Sequence, residues 1–322
     1  MSVVAGVSLF YGVLVCADAR ATLSFSDGRR LFVDNVQKIF PIDGHSVVGF
    51  VGDIEAAGAI LESLFQLTVP HARPFANPVT FTSWLPRFLR HQDRALRQRG
   101  HSFDLEFLVG SVLKSRLNQI ERKRVVELME RFRLGKLSIE RSWLPGVLVS
   151  ILKTPPETTV VALEGSPRTA MITLKSPDYL PKWFKALEFT AIGSGHLTSL
   201  QIERMADWVF AGDVGNLTLE AEALRGAVEY YLDESGEPTV GGLLPSYHVG
   251  KDGIHALSYS ATIPAGGARY ELQYRDDRWI QINHDRDRRI ALQPPWEVDY
   301  RSFSADDRFD DLRDALRDFR AP

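Results

Sequence analysis

The sequence predicts an α+β fold in which two β-sheets are stacked between pairs of helices, a four-layer αββα sandwich. The first observation is the order of the elements: strand-like runs, two helical segments, further strands, two more helical segments and a final set of strands. The second is hydrophobic periodicity, because the helical segments carry apolar residues every three or four positions and therefore bury one face. With 322 residues, the chain is long for one domain and short for two large ones.

Four short apolar runs at the start of the chain predict two β-hairpins. β-branched residues are frequent in these runs, and an aromatic or turn-forming dipeptide separates the members of each pair. The polar segment 19–29 between the hairpins predicts a loop. The first hairpin consists of runs 3–9 and 12–17, and the second of runs 30–40 and 46–51.

The remaining elements follow from the same two patterns. Helices are predicted where apolar residues recur at helical spacing, and strands where short apolar runs are bounded by glycine, proline or polar residues. The predicted helices span residues 53–65, 78–100, 197–211 and 217–233. The predicted strands span residues 103–113, 158–163, 169–174, 189–192, 241–249 and 255–259, with a further hairpin from 270–274 and 279–282.

Two segments lie outside the sandwich pattern and set the predicted domain organisation. Residues 1–263 are expected to form the sandwich domain, with a helical insertion at about 114–157. We interpret the insertion as a solvated helical hairpin, with a lid or a subunit contact as the alternative. Residues 264–322 are predicted to be a C-terminal extension that ends in a helix at about 305–319. We expect the extension to pack on the sandwich domain or on a neighbouring subunit.

The composition argues against several classes of protein. The formal net charge is −3, which argues against a general nucleic-acid binder. No run approaches the roughly 20 apolar residues of a membrane helix. No basic region precedes the first apolar run, so a secretory signal is not expected. Cys16 is the single cysteine and is interpreted as a small core residue. We therefore expect a cytoplasmic protein that does not associate with a membrane.

Ser2 is the first candidate catalytic residue. A serine hydroxyl is a poor nucleophile and needs a neighbouring base. A free α-amine has a pKa near 8, so a serine at the start of a chain carries its own base. Met1 is followed by a small residue, which is the kind of start that methionine aminopeptidase trims. We therefore expect the α-amine of Ser2 to be freed without removal of a longer leader.

Three further motifs follow Ser2 in a fixed order. They are Ala17-Asp18-Ala19-Arg20, Gln37-Lys38-Ile39 and the glycine of Val51-Gly52-Asp53. This order resembles the proteasome β-subunit branch of the N-terminal-nucleophile (Ntn) hydrolases. The resemblance covers about residues 2–110 and 158–260. It implies the αββα fold of that family and a peptidase in which one residue is both nucleophile and base.

The resemblance implies a role for each matching residue. Ser2 would be the nucleophile. Lys38 would lower the pKa of the Ser2 hydroxyl through its charge, and Asp18 would hold Lys38 in place. Gly52 would donate its backbone N–H to the developing oxyanion of the substrate. Ser194, in Gly193-Ser194-Gly195, would bind near the terminal amine.

The chain departs from the family in the segment 237–242. Active β-subunits carry Asp-x-x-Ser-Gly-Gly there, whereas this chain has Glu237-Pro238-Thr239-Val240-Gly241-Gly242. Glu237 would take the place of the aspartate, while Val240 removes a hydroxyl near the amine. The nucleophile is serine instead of the usual threonine, although other Ntn hydrolases use serine.

The predicted function is hydrolysis of peptide bonds in a polypeptide substrate, in a homo-oligomeric ring assembled from copies of this chain. An ATP-dependent unfoldase is a further expected partner. No cofactor or metal is expected, since the histidines lack metal-ligand spacing such as His-Glu-x-x-His. Two alternatives stay open: a catalytically inactive ring or scaffold subunit of the same fold, and an Ntn amidase that acts on a small molecule.

Overall fold

The computed structural model describes residues 2–9, 12–25, 28–68, 78–113, 168–184, 188–193, 221–228, 242–250, 252–262 and 269–299. Within these ranges, sixteen strands form four sheets, and two helices are complete. The helices are α1 (Ile54–Thr68) and α2 (Pro78–Gln98). The strands are β1 (Val3–Ser8), β2 (Gly12–Ala17), β3 (Ala21–Ser24), β4 (Arg30–Val33), β5 (Ile39–Asp43), β6 (Ser46–Gly52), β7 (Leu105–Leu113), β8 (Arg168–Lys175), β9 (Lys182–Phe184), β10 (Phe189–Gly193), β11 (Ser246–Gly250), β12 (Gly253–Ala256), β13 (Tyr259–Thr262), β14 (Arg269–Arg275), β15 (Arg278–Asn283) and β16 (Arg288–Ala291).

Two antiparallel five-stranded sheets form the centre of the molecule. The first sheet has the strand order β10-β1-β2-β11-β12, and the second has the order β5-β6-β7-β8-β9. Every residue of β1 and β2 is buried, because the first sheet is covered on both faces. This explains why both strands read as continuous apolar runs instead of alternating apolar and polar residues.

The two sheets pack face to face through aliphatic side chains. Val13 and Val15 of β2 share one buried cluster with Val47 of β6 and Leu108 of β7. Burial of each such side chain contributes about 1.5 to 3 kcal/mol to folding. The interface between the sheets is therefore a main source of stability, and it fixes where the ends of β1, β2 and β6 lie.

In the described residues, α1 and α2 pack on the second sheet, on the face that points away from the first sheet. Phe50 of β6 and Phe107 of β7 point away from the first sheet and pack on α1 and α2. The helical residues contributing to this second cluster recur at three- and four-residue spacing, as an amphipathic helix requires. They include Ile60, Leu61, Leu64, Leu85, Phe88 and Leu89. On the other side, helical residues 221–228 pack on β1 through Leu224 and Val228.

The C-terminal part of the chain adds a four-stranded sheet in the order β13-β14-β15-β16. Trp279 of β15 is fully buried in the same cluster as the residues between the two central sheets. Its Nε1–H donates a hydrogen bond of 3.0 Å to the hydroxyl of Tyr247 in β11. The domain boundary between residues 263 and 264 stays a prediction. The strands on either side of it, β13 and β14, are hydrogen-bonded neighbours.

The predicted four-layer αββα sandwich is wrong. The described residues are mostly β-structure, with four sheets against α1, α2 and the helical residues 221–228. One additional sheet pairs β3, in the segment predicted as a loop, with β4. The other combines β13 with the predicted hairpin of β14 and β15 and with β16. Strand pairing between such segments depends on tertiary context, which hydrophobic periodicity does not report.

Several individual elements are confirmed, and two predictions near the N-terminus are wrong. The first hairpin, α1 and α2 are confirmed. The segment 19–29 is not simply a loop, because it contains β3, which pairs with β4. The run 30–40 is not one strand: β4 ends at Val33, and β5 begins at Ile39 and pairs with β6. The intervening bend carries Lys38.

Other predictions fall on residues that the structure does not describe. These are the insertion at 114–157, the helices at 197–211 and 305–319, and the strand at 158–163. Within the described ranges, no helix has both the length and the apolar character needed to cross a membrane.

Candidate active site

Antiparallel pairing of β1 and β2 brings the start of one strand beside the end of the other. Val4 lies opposite Ala17 in the register, so Ser2 and Val3 approach Asp18. The backbone N–H of Val3 donates a 2.8 Å hydrogen bond to Oδ1 of Asp18, and the N–H of Asp18 donates one of 3.1 Å to the carbonyl of Val3. Asp18 is thus hydrogen-bonded to the amide directly after Ser2.

Lys38 forms a buried ion pair with Asp18. Its Nζ lies 2.9 Å from both carboxylate oxygens, and both side chains are fully buried. Nζ also donates a hydrogen bond to the backbone carbonyl of Arg20. The N–H of Arg20 in turn donates a 3.1 Å hydrogen bond to Oδ2 of Asp18. The carboxylate therefore accepts hydrogen bonds from the side chain of Lys38 and from the backbone of Val3 and Arg20.

Burial lowers the pKa of Lys38 below its ordinary value of 10.5. Desolvation is the largest cause, since burial disfavours the charged ammonium. The charge of Asp18 and its hydrogen bond oppose this effect and favour the ammonium. Because the effect of desolvation exceeds that of Asp18, Lys38 can lose or regain a proton at a pH nearer to neutral than an exposed lysine can.

A second buried ion pair lies next to the first. The guanidinium of Arg20 binds the carboxylate of Asp34 in a bidentate arrangement, with Nε 2.7 Å from Oδ1 and Nη2 2.9 Å from Oδ2. Arg20 is 2% exposed and Asp34 is fully buried. Both charges act on Lys38, because Asp34 raises its pKa and Arg20 lowers it. The sequence pattern predicts no role for the side chains of Arg20 and Asp34, since two charges fourteen positions apart have no recognisable spacing.

Ser2 is 4% exposed and lies between Asp18 and the end of β10. Val3 pairs with Gly193, and a Cβ atom on Gly193 would lie only 1.8 Å from the carbonyl oxygen of Ser2. Only glycine fits at this position. The approach places the backbone directly before Ser194 against Ser2. Ser194 itself lies outside the described residues.

Gly52 ends β6, the strand that is bonded to the backbone of Lys38. The N–H of Phe50 donates a 3.0 Å hydrogen bond to the carbonyl of Lys38. Gly52 has a φ of +113°, and a Cβ there would lie 2.0 Å from the carbonyl oxygen of Asp104. The following Asp53 caps α1 through a 2.8 Å hydrogen bond from the N–H of Ala56. The oxyanion role of Gly52 stays a prediction.

The structure thus brings Asp18 and Lys38 into contact, and Asp18 is hydrogen-bonded to the amide of Val3, the residue after Ser2. Glu237 and Val240 lie outside the described residues, as Ser194 does. Among the described residues, no group of three or more His, Cys, Asp or Glu side chains is arranged to hold a metal ion. The catalytic roles of all six predicted residues stay predictions.

Solved structures that are similar to this chain include one described as the Anbu (Gly-1) mutant from Hyphomicrobium sp. strain MC1. The match covers 80% of this chain and 85% of that chain, at 12% sequence identity and a TM-score of 0.49. No family model matches the chain, and no curated protein is similar to it. Similarity at this level is distant and says nothing about chemistry.

Proposed function

We propose that this chain is a proteasome-like amide hydrolase that cleaves peptide bonds, with Ser2 as its nucleophile after removal of Met1. The observation that carries this proposal is the fully buried ion pair of Lys38 and Asp18, in which Asp18 also accepts a hydrogen bond from the amide of Val3, the residue after Ser2. Burial of two charges carries a desolvation penalty, and apolar residues of similar volume are often at least as stabilising as a buried ion pair. Stability alone therefore does not explain why these two charges are buried here. Burial lowers the pKa of Lys38, and a titratable group with a shifted pKa is typical of a catalytic site.

The proposed reaction uses the α-amine of Ser2 as its base. Oγ of Ser2 attacks the carbonyl carbon of the substrate, and the hydroxyl proton passes to the α-amine. The C–N bond then breaks, and the leaving amine takes that proton. Water hydrolyses the resulting ester on Ser2 and restores the free hydroxyl. The backbone N–H of Gly52 is proposed to stabilise the oxyanion in both steps.

Lys38 supports this reaction through its charge. Oδ1 of Asp18 accepts hydrogen bonds both from Nζ of Lys38 and from the N–H of Val3, so the ammonium is two hydrogen bonds away from the backbone that carries Ser2. A positive charge held there lowers the pKa of a nearby hydroxyl. Ser194 and Glu237 are proposed to orient the terminal amine, as the sequence resemblance implies.

An inactive ring subunit is the second candidate function, and one observation favours it. Val240 replaces the serine that the family carries near the terminal amine. Without that hydroxyl, the amine loses a hydrogen-bond partner that would hold it in position as a base. A scaffold would tolerate this loss.

Covalent labelling of Ser2 tests the proposal. The intact mass of the purified chain is measured first and shows whether Met1 is absent. The chain is then treated with a β-lactone or epoxyketone probe. We expect a single adduct on Ser2, its loss in Ser2→Ala, and unchanged labelling in Ser63→Ala, which removes a half-buried hydroxyl on α1 that donates to the carbonyl of Ala59. A chain that starts at Ser2 and gives no adduct would contradict the hydrolase proposal and favour the scaffold.

A further inference from the structure

Gln281 of β15 is a fully buried carboxamide that forms hydrogen bonds to two residues outside its own sheet. Oε1 accepts a 2.7 Å hydrogen bond from the N–H of Leu243. Nε2 donates a hydrogen bond to the backbone carbonyl of Asp34. A buried carboxamide costs free energy unless its polar atoms are paired, so these two contacts hold Gln281 to both segments.

The contact with Asp34 is linked to Lys38 through Arg20. The carboxylate of Asp34 binds the guanidinium of Arg20, and the carbonyl of Arg20 accepts a hydrogen bond from Nζ of Lys38. Gln281 fixes the backbone of Asp34 and therefore the position of its carboxylate. A continuous set of polar contacts thus runs from the C-terminal sheet to the ion pair beside Ser2.

The other contact leads to the segment that follows Gly242. A Cβ atom on Gly242 would lie 3.0 Å from Oε1 of Gln281 and 3.0 Å from Cβ of Ala19. Ala19 stands between Asp18 and Arg20 in the chain. Gln281 therefore sits where the backbone after β2, the bend before Lys38 and the segment after Gly242 meet.

Two backbone hydrogen bonds join the same sheet to this bend. The N–H of Gln293, just after β16, donates to the carbonyl of Asn35 at 2.6 Å, and the N–H of Gln37 donates to the carbonyl of Gln293 at 2.9 Å. Asn35 and Gln37 lie in the bend between β4 and β5, which also carries Lys38. The backbone of the segment after β16 thus holds this bend, as the side chain of Gln281 does.

We propose that Gln281 is a positioning residue for the Ser2 site. Through Gln281, the C-terminal sheet then contributes to catalysis. This inference rests on the proposed function of Ser2. Gln281 does not contact the nucleophile. It acts by holding Asp34, and through Asp34 and Arg20 it sets the position and charge environment of Lys38.

The experiment compares two substitutions that each remove a buried carboxamide from β15. Gln281→Met keeps the length of the side chain and removes both hydrogen bonds to the site. Asn283→Leu is the matched control, because Asn283 is 1% exposed and its Oδ1 accepts hydrogen bonds from Asp285 and Arg286 within its own hairpin. Both variants are compared by thermal unfolding, which shows how much stability each substitution removes.

The rate and the extent of labelling by the β-lactone probe distinguish positioning from folding. Partial unfolding lowers the labelled fraction, whereas misplacement lowers the maximal rate constant of the folded fraction. We expect Gln281→Met to reduce that rate constant about 10- to 100-fold at unchanged probe affinity. We expect Asn283→Leu to leave it unchanged. A wild-type rate constant in Gln281→Met would overturn the proposal.

A spectroscopic measurement keeps the inference separate from the proposed function. The ¹³Cε signal of Lys38, assigned with Lys38→Arg, is followed by NMR in selectively labelled protein. If the wild type takes up no probe, the hydrolase proposal fails, and this signal decides the role of Gln281. A shift of the signal in Gln281→Met but not in Asn283→Leu supports positioning of Lys38. An identical ¹³Cε chemical shift in the wild type, Gln281→Met and Asn283→Leu would overturn the positioning role of Gln281.

Discussion

Lys38 and Asp18 form a salt bridge in which Nζ lies 2.9 Å from each carboxylate oxygen and neither side chain reaches solvent. Asp18 follows β2 and Lys38 precedes β5, so the contact joins the first sheet to the bend between β4 and β5. A buried pair of this kind contributes little net stability, but the removal of one partner leaves an uncompensated charge. The pair therefore makes the N-terminal region sensitive to single substitutions.

Single substitutions of this pair are expected to be far more damaging than the double substitution. Lys38→Met and Asp18→Asn should each lower the free energy of unfolding by about 3 to 5 kcal/mol, because each leaves a buried group without its partner. The double variant should lose clearly less than the two single losses combined. Urea unfolding of the four proteins measures this. Lys175→Met, which removes an exposed lysine at the end of β8, is the control. Additive losses would contradict the prediction.

The chain is expected to assemble into a closed ring. Subunits of the family that the sequence resembles form such rings, and closed cyclic symmetry is common among homo-oligomers. Light scattering should therefore give a particle of several hundred kilodaltons instead of the 36.2 kDa of one chain. A monomer at micromolar concentration would count against compartmentalised proteolysis and favour an amidase that acts on small molecules.

Acid is expected to destabilise the fold through His248. This residue of β11 is 8% exposed and pairs across the sheet with His255. Burial, and to a lesser degree the charge of His255, lowers the pKa of His248 from 6.5 to about 4. Between these values the unfolded chain binds a proton that the folded chain does not, so stability falls as pH falls. The loss is about 1.4 kcal/mol per pH unit at most.

Urea unfolding at several pH values between about 4 and about 6.5 tests the role of His248. His248→Gln should flatten the dependence of the unfolding free energy on pH, because the substituted side chain does not titrate. His101→Gln removes an exposed histidine and should leave the slope unchanged. Equal slopes in His248→Gln and the wild type would assign the acid sensitivity to other groups.

Gly52 is expected to tolerate no side chain, whereas Gly28 should tolerate one at modest cost. Both have positive φ, at +113° and +83°. A Cβ on Gly52 would meet the carbonyl of Asp104 at 2.0 Å, while one on Gly28 meets nothing within 4 Å. Gly28→Ala should cost about 1 to 2 kcal/mol for the backbone conformation alone. Gly52→Ala should cost more, because the clash adds to that strain. Thermal unfolding of both variants measures the difference in lost stability. Equal losses in the two variants would contradict the prediction and show that the end of β6 can shift to accommodate the Cβ.

Predictions from local patterns succeeded where a single element accounts for the pattern. The hairpin of β1 and β2 follows from two β-rich runs with a short connection, and α1 and α2 follow from apolar residues at helical spacing. The same method failed at residues 19–40. There, β3 and β4 pair with each other, and the chain bends before Lys38 instead of continuing as one strand. Periodicity indicates that a run is extended, but it does not indicate which run it pairs with.

The sequence by itself determined the candidate nucleophile, lysine and aspartate, because Ser2, Asp18 and Lys38 stand in a recognisable order. It also determined the first hairpin and the two helices, since both depend on contacts between residues close in the chain. Only the tertiary structure decided that the C-terminal segment shares the central core and that Gln281 reaches Asp34, 247 positions away. Such contacts leave no local pattern, because they depend on how several sheets pack at once.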